Sequence, residues 1–196
     1  MGLALMNFAS CSEKKFKVNG TITQAKDSIL YLENMSLSGP RTVDSVKLDE
    51  SGNFEFSYKA APAPEFYRLR IANQIVNIGV DSTETINVKA AYPTMSANYE
   101  VSGSEECAKI RELAYMQLAL QNKVTAIANS NSLGVAAVED SVAKVLDVYK
   151  NKVKMDYIFK EPMKAYAYYA LFQTVQLGNA NMLIFNPRSN KEDVKV

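Results

Sequence analysis

Apolar and polar positions alternate along the first half of the chain. The alternation starts at Phe16 and continues to about Val101 in short segments such as Phe54-Glu55-Phe56 and Tyr67-Arg68-Leu69. A period of two puts successive side chains on opposite faces of a strand, so each segment is predicted to have one buried and one wet face. About seven or eight such strands at regular spacing predict an antiparallel β-sandwich.

Turn residues separate these segments. The clearest turn is Asp49-Glu50-Ser51-Gly52, which lies between two alternating runs. Glycine takes a positive φ without steric cost, and aspartate bonds to the backbone of a tight turn. The pattern therefore predicts a β-hairpin at this position.

The apolar period changes to that of a helix after Val101. Ser104, followed by Glu105 and Glu106, is typical of a helix start. Two apolar stripes follow, and a third helix is predicted from Pro162 to about Leu177. The stripes consist of Ile110, Leu113, Leu120, Val124 and Ile127, then Val135, Val138, Val142, Val145, Tyr149 and Val153.

The sequence therefore predicts an α+β chain, with an N-terminal antiparallel β-sandwich followed by a three-helix segment. Four parts are expected along it. They are a signal-like segment and tether (1–15), the β-sandwich (16–102), a three-helix connector (103–178) and a polar tail (179–196) that leads into a domain outside this chain.

Composition restricts the chemistry. Lys and Arg number 22 against 21 Asp and Glu, so net charge gives no reason to expect nucleic-acid binding. The chain has no histidine, which removes the commonest general base and zinc ligand. Its two cysteines, Cys11 and Cys107, cannot form a Cys-x-x-Cys motif. The acidic residues near Asp49 and Asp81 fit turns better than a calcium loop, and we expect neither a metal site nor a cofactor.

The N-terminus resembles a lipoprotein signal. Leu3-Ala4-Leu5-Met6 is apolar, and the small residues Ala9 and Ser10 precede Cys11, as at a lipidation site. The basic n-region is not present, and a start upstream of Met1 would supply it. Cys11 is thus predicted to be a lipid anchor that holds the chain on a membrane of the cell envelope. The alternative is a frayed terminus whose cysteine has no role.

Two further features are candidate functional sites. Cys107 lies in the first turn of a predicted helix, where the helix dipole lowers a thiol pKa, but Glu105 and Glu106 oppose that effect. A structural cysteine at the surface or half-buried is therefore expected. The aromatic run of the third helix covers most of its circumference, so packing explains most of it and at least one hydroxyl is expected to face a cleft or partner. The candidate surface consists of Tyr166, Tyr168, Tyr169 and Phe172.

Several segments together resemble a known family. They are FKVNGTI (16–22), VDSV (43–46), GNFEF (52–56), EFYRL (65–69), VSGS (101–104), YYALF (168–172) and FNP (185–187). They resemble the domain-of-unknown-function 4369 module found at the N-terminus of Bacteroidetes-type lipoproteins. In that family the module precedes a thioredoxin-like domain of the thiol:disulfide interchange or AhpC/TSA kind. No residue here corresponds to the redox cysteines of such a domain, so those roles are not transferred.

These observations favour a non-enzymatic accessory module. It would face the periplasm or the cell surface, and would position a redox domain or another protein, with association of two copies as a further expectation. The first alternative is a peptide- or glycan-binding protein that uses a cleft between sandwich and helices, with Tyr166, Tyr168 and Tyr169 as stacking groups. The second is a thiol-dependent enzyme that uses Cys107.

Overall fold

Eight β-strands occupy residues 15–102 in the computed structural model, which describes residues 14–186 except 37, 131 and 133. The strands are β1 (Lys15–Thr23), β2 (Ile29–Ser36), β3 (Gly39–Lys47), β4 (Asn53–Lys59), β5 (Glu65–Ile71), β6 (Gln74–Val80), β7 (Thr85–Ala91) and β8 (Tyr99–Ser102). Their number and positions agree with the alternation in the sequence. The α+β class is confirmed, because helices follow the strands.

The eight strands form two four-stranded sheets, with strand orders β4-β1-β7-β8 and β3-β2-β5-β6. Neighbouring strands are antiparallel, except that β1 and β7 run parallel from Lys17 beside Thr85 to Thr23 beside Ala91. The predicted antiparallel sandwich is therefore confirmed, with this one parallel pair as an exception that the sequence did not indicate. Parallel neighbours need a long crossover connection, and strands β2 to β6 provide it.

The turn at Asp49-Glu50-Ser51-Gly52 does not close a hairpin. It links β3 and β4, which belong to different sheets. The turn chemistry itself is as predicted: Asp49 Oδ1 accepts hydrogen bonds from the Ser51 hydroxyl at 2.6 Å and from the Gly52 backbone at 3.1 Å. Gly52 has a φ of 66°. These residues determine a local chain reversal, whereas strand pairing is determined by the packing of the two apolar faces.

The sandwich core lies between the two sheets. Phe16 and Val18 of β1 are buried, while Lys17 between them is exposed. The Phe16 ring lies 4.8 Å, centroid to centroid, from the ring of Tyr67 in the other sheet. Burial of each large apolar side chain stabilises the fold by roughly 1.5–3 kcal/mol.

Three α-helices follow the sandwich: α1 (Glu105–Ala128), α2 (Val135–Val153) and α3 (Ala165–Leu171). Ser104 caps α1 as predicted, because its Oγ accepts a hydrogen bond from the Cys107 backbone at 3.3 Å. A π-helical turn over Lys154–Ile158 extends α2. No described helix is long and apolar enough to cross a membrane.

The third helix is shorter than predicted. Pro162 lies in a turn, in which Lys164 donates its backbone N–H to the Glu161 carbonyl at 3.1 Å, and α3 begins only at Ala165. After Phe172 the chain becomes extended and forms a hairpin of β9 (Thr174–Leu177) and β10 (Ala180–Leu183). The apolar spacing over 173–177 fits either a helix or a strand, and β-branched residues at 174 and 175 favour the strand.

The expected polar tail contains structure in its first part. Residues 180–183 form β10, and Ile184 and Phe185 are buried with the helices in a second core. This core also contains Leu113 and Tyr149. The strand and the two buried side chains are too short a signal to stand out beside the surrounding Asn and Gly residues. Residues 187–196 lie outside the described residues.

Helix α1 packs closely on the outer face of β6. A Cβ atom placed on Gly79 would lie 2.6 Å from Ile110 Cδ1 and 3.6 Å from the Ala165 Cβ. The absence of a side chain at Gly79 thus allows both α1 and α3 to approach the sheet. This contact places the helices beside β5 and β6, where the candidate site lies.

Candidate functional site

A cleft of about 570 Å³ lies between the second sheet and α3. Its sheet side comes from β2, β5 and β6, and its helix side comes from Tyr169 and Phe172. The larger apolar groups are Met35, Pro64, Phe66, Ile78, Tyr169 and Phe172. We call this depression the apolar cleft. The sequence-based alternative placed a ligand site between the sandwich and the helices, and that role stays a prediction.

Phe172 is the most exposed aromatic side chain of the apolar cleft. It follows α3 as the C-cap residue and is 65% exposed. Tyr169, one turn earlier, is half-buried, with its ring centroid 6.5 Å from that of Phe66. The cleft therefore presents an aromatic wall that water contacts freely at Phe172.

Polar side chains also line the apolar cleft at its sheet side, and three of them are hydrogen-bonded to one another. Oε2 of the Glu65 carboxylate accepts two hydrogen bonds, one from Tyr67 OH at 2.6 Å and one from Asn34 Nδ2 at 3.1 Å. Burial and this carboxylate raise the pKa of Tyr67 well above its ordinary value. Tyr67 therefore stays neutral and remains a hydrogen-bond donor to Glu65.

The structure separates the four predicted surface residues. Tyr169 and Phe172 line the apolar cleft, whereas Tyr168 is 43% exposed on another side of α3. Tyr166 is buried, and its hydroxyl donates to the Glu161 carboxylate. Packing thus accounts for Tyr166, and only two of the four residues share one site.

Cys107 is buried, not at the surface or half-buried as expected. Its thiol donates to the Gly79 carbonyl at 3.2 Å, and burial raises its pKa to about 11, with the Glu84 and Glu106 carboxylates acting in the same direction. The sandwich core reaches into the first turn of α1, which is why the thiol is covered. Cys11, the predicted anchor, lies outside the described residues.

A second depression of about 620 Å³ lies between α1, β6 and the β9–β10 hairpin. Among the residues that the structure describes, seven carboxamide side chains line it and no carboxylate does. They are Asn73, Asn77, Gln117, Gln121, Gln176, Asn179 and Asn181. We call this depression the amide groove. It meets the apolar cleft at Asn77 and Tyr169, which line both depressions.

Arg68 is the cationic side chain of the amide groove. It belongs to a triad on the outer face of the second sheet, in which Glu33 Oε2 accepts from Arg68 Nε at 2.6 Å and Glu33 Oε1 accepts from Arg70 at 2.7 Å. The Arg70 hydrogen bond holds the pKa of Glu33 below its ordinary value despite burial, and the Arg68 bond acts likewise. The triad therefore keeps one net positive charge.

Sequence reasoning missed the amide groove entirely. Its carboxamides come from the β5–β6 turn, β6, α1 and the β9–β10 hairpin, so no local spacing connects them. Among the described residues, no group of three or more His, Cys, Asp or Glu side chains is arranged to hold a metal ion.

The fold defines an α+β protein whose N-terminal part is an eight-stranded sandwich. Residues 16–109 match the family model described as Domain of unknown function (DUF4369), a range that spans the sandwich and the start of α1. This match supports the resemblance of that region to the family. The thioredoxin-like lipoprotein context stays a prediction.

Comparisons with other proteins add little. No curated protein sequence matches the chain. Among solved structures, (S)-allantoin synthase is 9% identical with a TM-score of 0.34, over 48% of this chain and 45% of that one. A 9R-lipoxygenase from Cyanothece PCC8801 is 13% identical with a TM-score of 0.25, over 76% of this chain and 28% of that one. The chain thus spans less than half the length of either protein, and neither likeness bears on the site.

Proposed function

We propose that this chain is a non-enzymatic accessory module of a cell-envelope lipoprotein. Tethered through Cys11, it holds a thioredoxin-like redox domain or another envelope protein against the apolar cleft. The proposal combines the family resemblance of the sandwich with the chemistry of that cleft. It assigns binding and positioning to this chain and leaves thiol chemistry to the partner.

The exposure of Phe172 beside the apolar cleft carries the proposal. A phenylalanine that is 65% exposed keeps most of its apolar surface in water, at the rim of a depression with room for a further side chain. Covering such a ring contributes roughly 1.5–3 kcal/mol, which makes aromatic side chains effective anchors of protein interfaces. A partner that inserts an apolar side chain between Phe172 and Met35 would gain this energy.

The burial of Cys107 supports a non-enzymatic role. A nucleophilic cysteine reacts as the thiolate and needs solvent access. Cys107 is buried, and its pKa of about 11 leaves it protonated at neutral pH. Reduction of insulin by dithiothreitol, followed by turbidity, tests this role. We expect no acceleration by the purified chain, and acceleration by this chain alone would refute the proposal.

Photo-cross-linking tests the partner surface. Benzoylphenylalanine at position 172, in cells that make the lipidated chain, is expected to cross-link to a protein with a thioredoxin-like domain. The matched control is the same group at Met163, which is 78% exposed and does not line the apolar cleft. Equal products from both positions, or only a cross-link to a second copy of this chain, would contradict the proposal.

Labelling with a fatty-acid analogue tests the tether. We expect incorporation into the wild-type chain, its loss in Cys11→Ser, and its retention in the control Ser12→Ala. Incorporation that persists in Cys11→Ser would show that the anchor is elsewhere. This result would not bear on the partner surface, which the cross-linking experiment at position 172 tests independently.

Binding of a peptide or glycan is the second candidate function, and a different observation favours it. The amide groove carries many hydrogen-bonding groups beside the aromatic Tyr169, a combination that suits capture of a polar ligand. A thermal-shift screen separates the two functions. A rise in melting temperature with a soluble ligand supports ligand capture, whereas association with a protein and no ligand response supports the accessory role.

A further inference from the structure

We propose that the amide groove binds a short oligosaccharide that carries a carboxylate. This inference rests on the second candidate function and specifies its ligand. It does not depend on docking at the apolar cleft. Four observations support it. They are the carboxamide lining, the hydrogen bonds that hold the α1 glutamines in place, the backbone groups already occupied at the neighbouring strand edges, and the position of Arg68.

The lining chemistry matches hydroxyl groups. Each carboxamide offers two N–H donors and a carbonyl acceptor, so it can bond to a sugar hydroxyl in either direction. Asn73 of the β5–β6 turn and Asn181 of β10 are exposed, and neither side chain makes a hydrogen bond within the described part of the chain that would compete with a ligand. Tyr169 adds an aromatic surface at the end shared with the apolar cleft.

The glutamines of α1 give the groove a fixed wall. Gln121 donates from Nε2 to the Gln176 carbonyl at 3.1 Å and accepts the Gln176 backbone N–H at 2.8 Å. Gln117 Nε2 donates to the Thr174 carbonyl at 2.7 Å. Three bonds thus attach β9 to α1, and a ligand finds a surface that is already ordered.

The strand edges at the groove disfavour an extended peptide. A peptide that adds to a sheet needs unpaired backbone groups along an edge. Here Gln121 occupies the backbone groups of Gln176, and Ser96 Oγ accepts the Ile75 backbone N–H at 2.6 Å. With these backbone groups occupied, recognition falls mainly to the side-chain amides and the Tyr169 ring, which suit a saccharide better than a peptide backbone.

Arg68 explains the preference for a carboxylate. Arg68 bonds to Glu33 through its Nε, so its two terminal nitrogens are not engaged by Glu33 and are able to donate from the groove wall. The triad of Glu33, Arg68 and Arg70 keeps one net positive charge, and none of the lining residues within the described ranges is acidic. A guanidinium in this setting favours a carboxylate over a neutral group.

Titration of the full chain by ¹H–¹⁵N NMR tests the inference, because side-chain amide resonances report the groove directly. The probes are tetragalacturonate, neutral cellotetraose and an uncharged decapeptide. We expect tetragalacturonate to shift the groove amides and to bind at least about fivefold more tightly than cellotetraose. We also expect binding to weaken about threefold as salt rises from about 50 to 300 mM, since screening reduces charge attraction.

Two variants locate the binding. Replacing both Asn73 and Asn181 by Ala removes exposed carboxamides with no structural bond, so the fold is retained, and tetragalacturonate affinity should fall about tenfold or more. The control is Asn122→Ala, an exposed carboxamide of α1 outside the groove, which should bind as the wild type does.

Three results would overturn the inference. They are no binding of tetragalacturonate, binding that the double variant does not weaken, and resonance shifts confined to the apolar cleft. A decapeptide that shifts the groove amides while tetragalacturonate does not would also overturn it. That last result would refute a saccharide ligand but would still support ligand binding as the second candidate function. Failure of the inference can therefore be distinguished from failure of that function.

Discussion

Asn77 of β6 donates a hydrogen bond from Nδ2 to the hydroxyl of Tyr169 on α3 at 3.0 Å, between residues 92 positions apart in the sequence. This bond joins the sheet to the last helix at the point where the apolar cleft and the amide groove meet. Burial raises the pKa of Tyr169 to about 12, and the bond from Asn77 acts in the opposite direction. The hydroxyl therefore stays neutral at any physiological pH.

Removal of this hydroxyl should loosen the junction. Tyr169→Phe leaves the Asn77 amide without its acceptor, and we expect a loss of about 1 kcal/mol in the free energy of unfolding. For a chain of this size the melting temperature should fall by about 2–4 °C. Differential scanning calorimetry measures the change. Tyr168→Phe, at an exposed position of the same helix, is the control, and an equal shift in both variants would contradict the assignment.

A side chain at Gly79 should push α1 away from the sheet. The new methyl group of Gly79→Ala would meet Ile110 Cδ1 at 2.6 Å in a buried contact, and overpacking of this kind costs about 1–3 kcal/mol. Ile110→Val removes that Cδ1 atom. In a double-mutant cycle by urea unfolding, Gly79→Ala should therefore cost less in the Ile110→Val background. Additive effects would show that the two side chains do not compete for the same space.

The Glu33 triad should make stability depend on acid pH. The pKa of Glu33 is lower in the folded chain than its ordinary 4.5, because Arg70 and Arg68 stabilise the carboxylate. Its contribution is therefore fully present above pH 4.5 and is lost as pH falls through the folded-state value. At pH 7, Glu33→Gln should lose about 1–3 kcal/mol in the free energy of unfolding, since it leaves two partly buried arginines without their carboxylate.

The same variant should unfold with a shallower pH dependence below pH 4.5, followed by circular dichroism in urea at each pH. Glu55→Gln breaks an exposed pair with Lys17 and is the control, with an expected change under about 0.5 kcal/mol. Identical pH profiles for the wild type and Glu33→Gln would exclude a role of the triad in acid stability.

Cys107 should react slowly in the native chain. A buried thiol with a pKa of about 11 exposes little thiolate at pH 8. In Cys11→Ser, where Cys107 is the remaining cysteine, we expect slow reaction with a disulfide reagent in the native chain and rapid reaction after denaturation in urea. Free glutathione under the same conditions gives the reference rate. A native rate equal to that of glutathione would revive the alternative of a thiol-dependent enzyme.

The strands were predictable because their signal is local. Phe16 and Val18 are buried and Lys17 between them is exposed, so the alternation in the sequence directly identifies the buried face of the strand. Ser104 as a helix cap is equally local, because its side chain bonds to a backbone group three residues away. Features set by neighbours along the chain could therefore be assigned from the sequence.

The pairing of strands and the sites depend on distant residues, and these were missed or only partly predicted. Nothing near Asp49 shows that β3 and β4 enter different sheets. Tyr169 and Phe172 were selected as members of an aromatic run, but only the packing of α3 shows that Tyr166 turns inward. The amide groove is assembled from four separate elements, so a single sequence carries no sign of it.

The parallel pairing of β1 and β7 affects the chain while it is being made. β1 is synthesised first, yet one of its two neighbours is complete only when Ala91 has been added. Until then Val18 and Ile22 lie on a strand with an open edge, and such an edge can pair with another chain. A polypeptide that stops within β7 should therefore accumulate as aggregates rather than as a soluble half-sandwich, so early chain termination would leave a misfolded product for cellular quality control to remove.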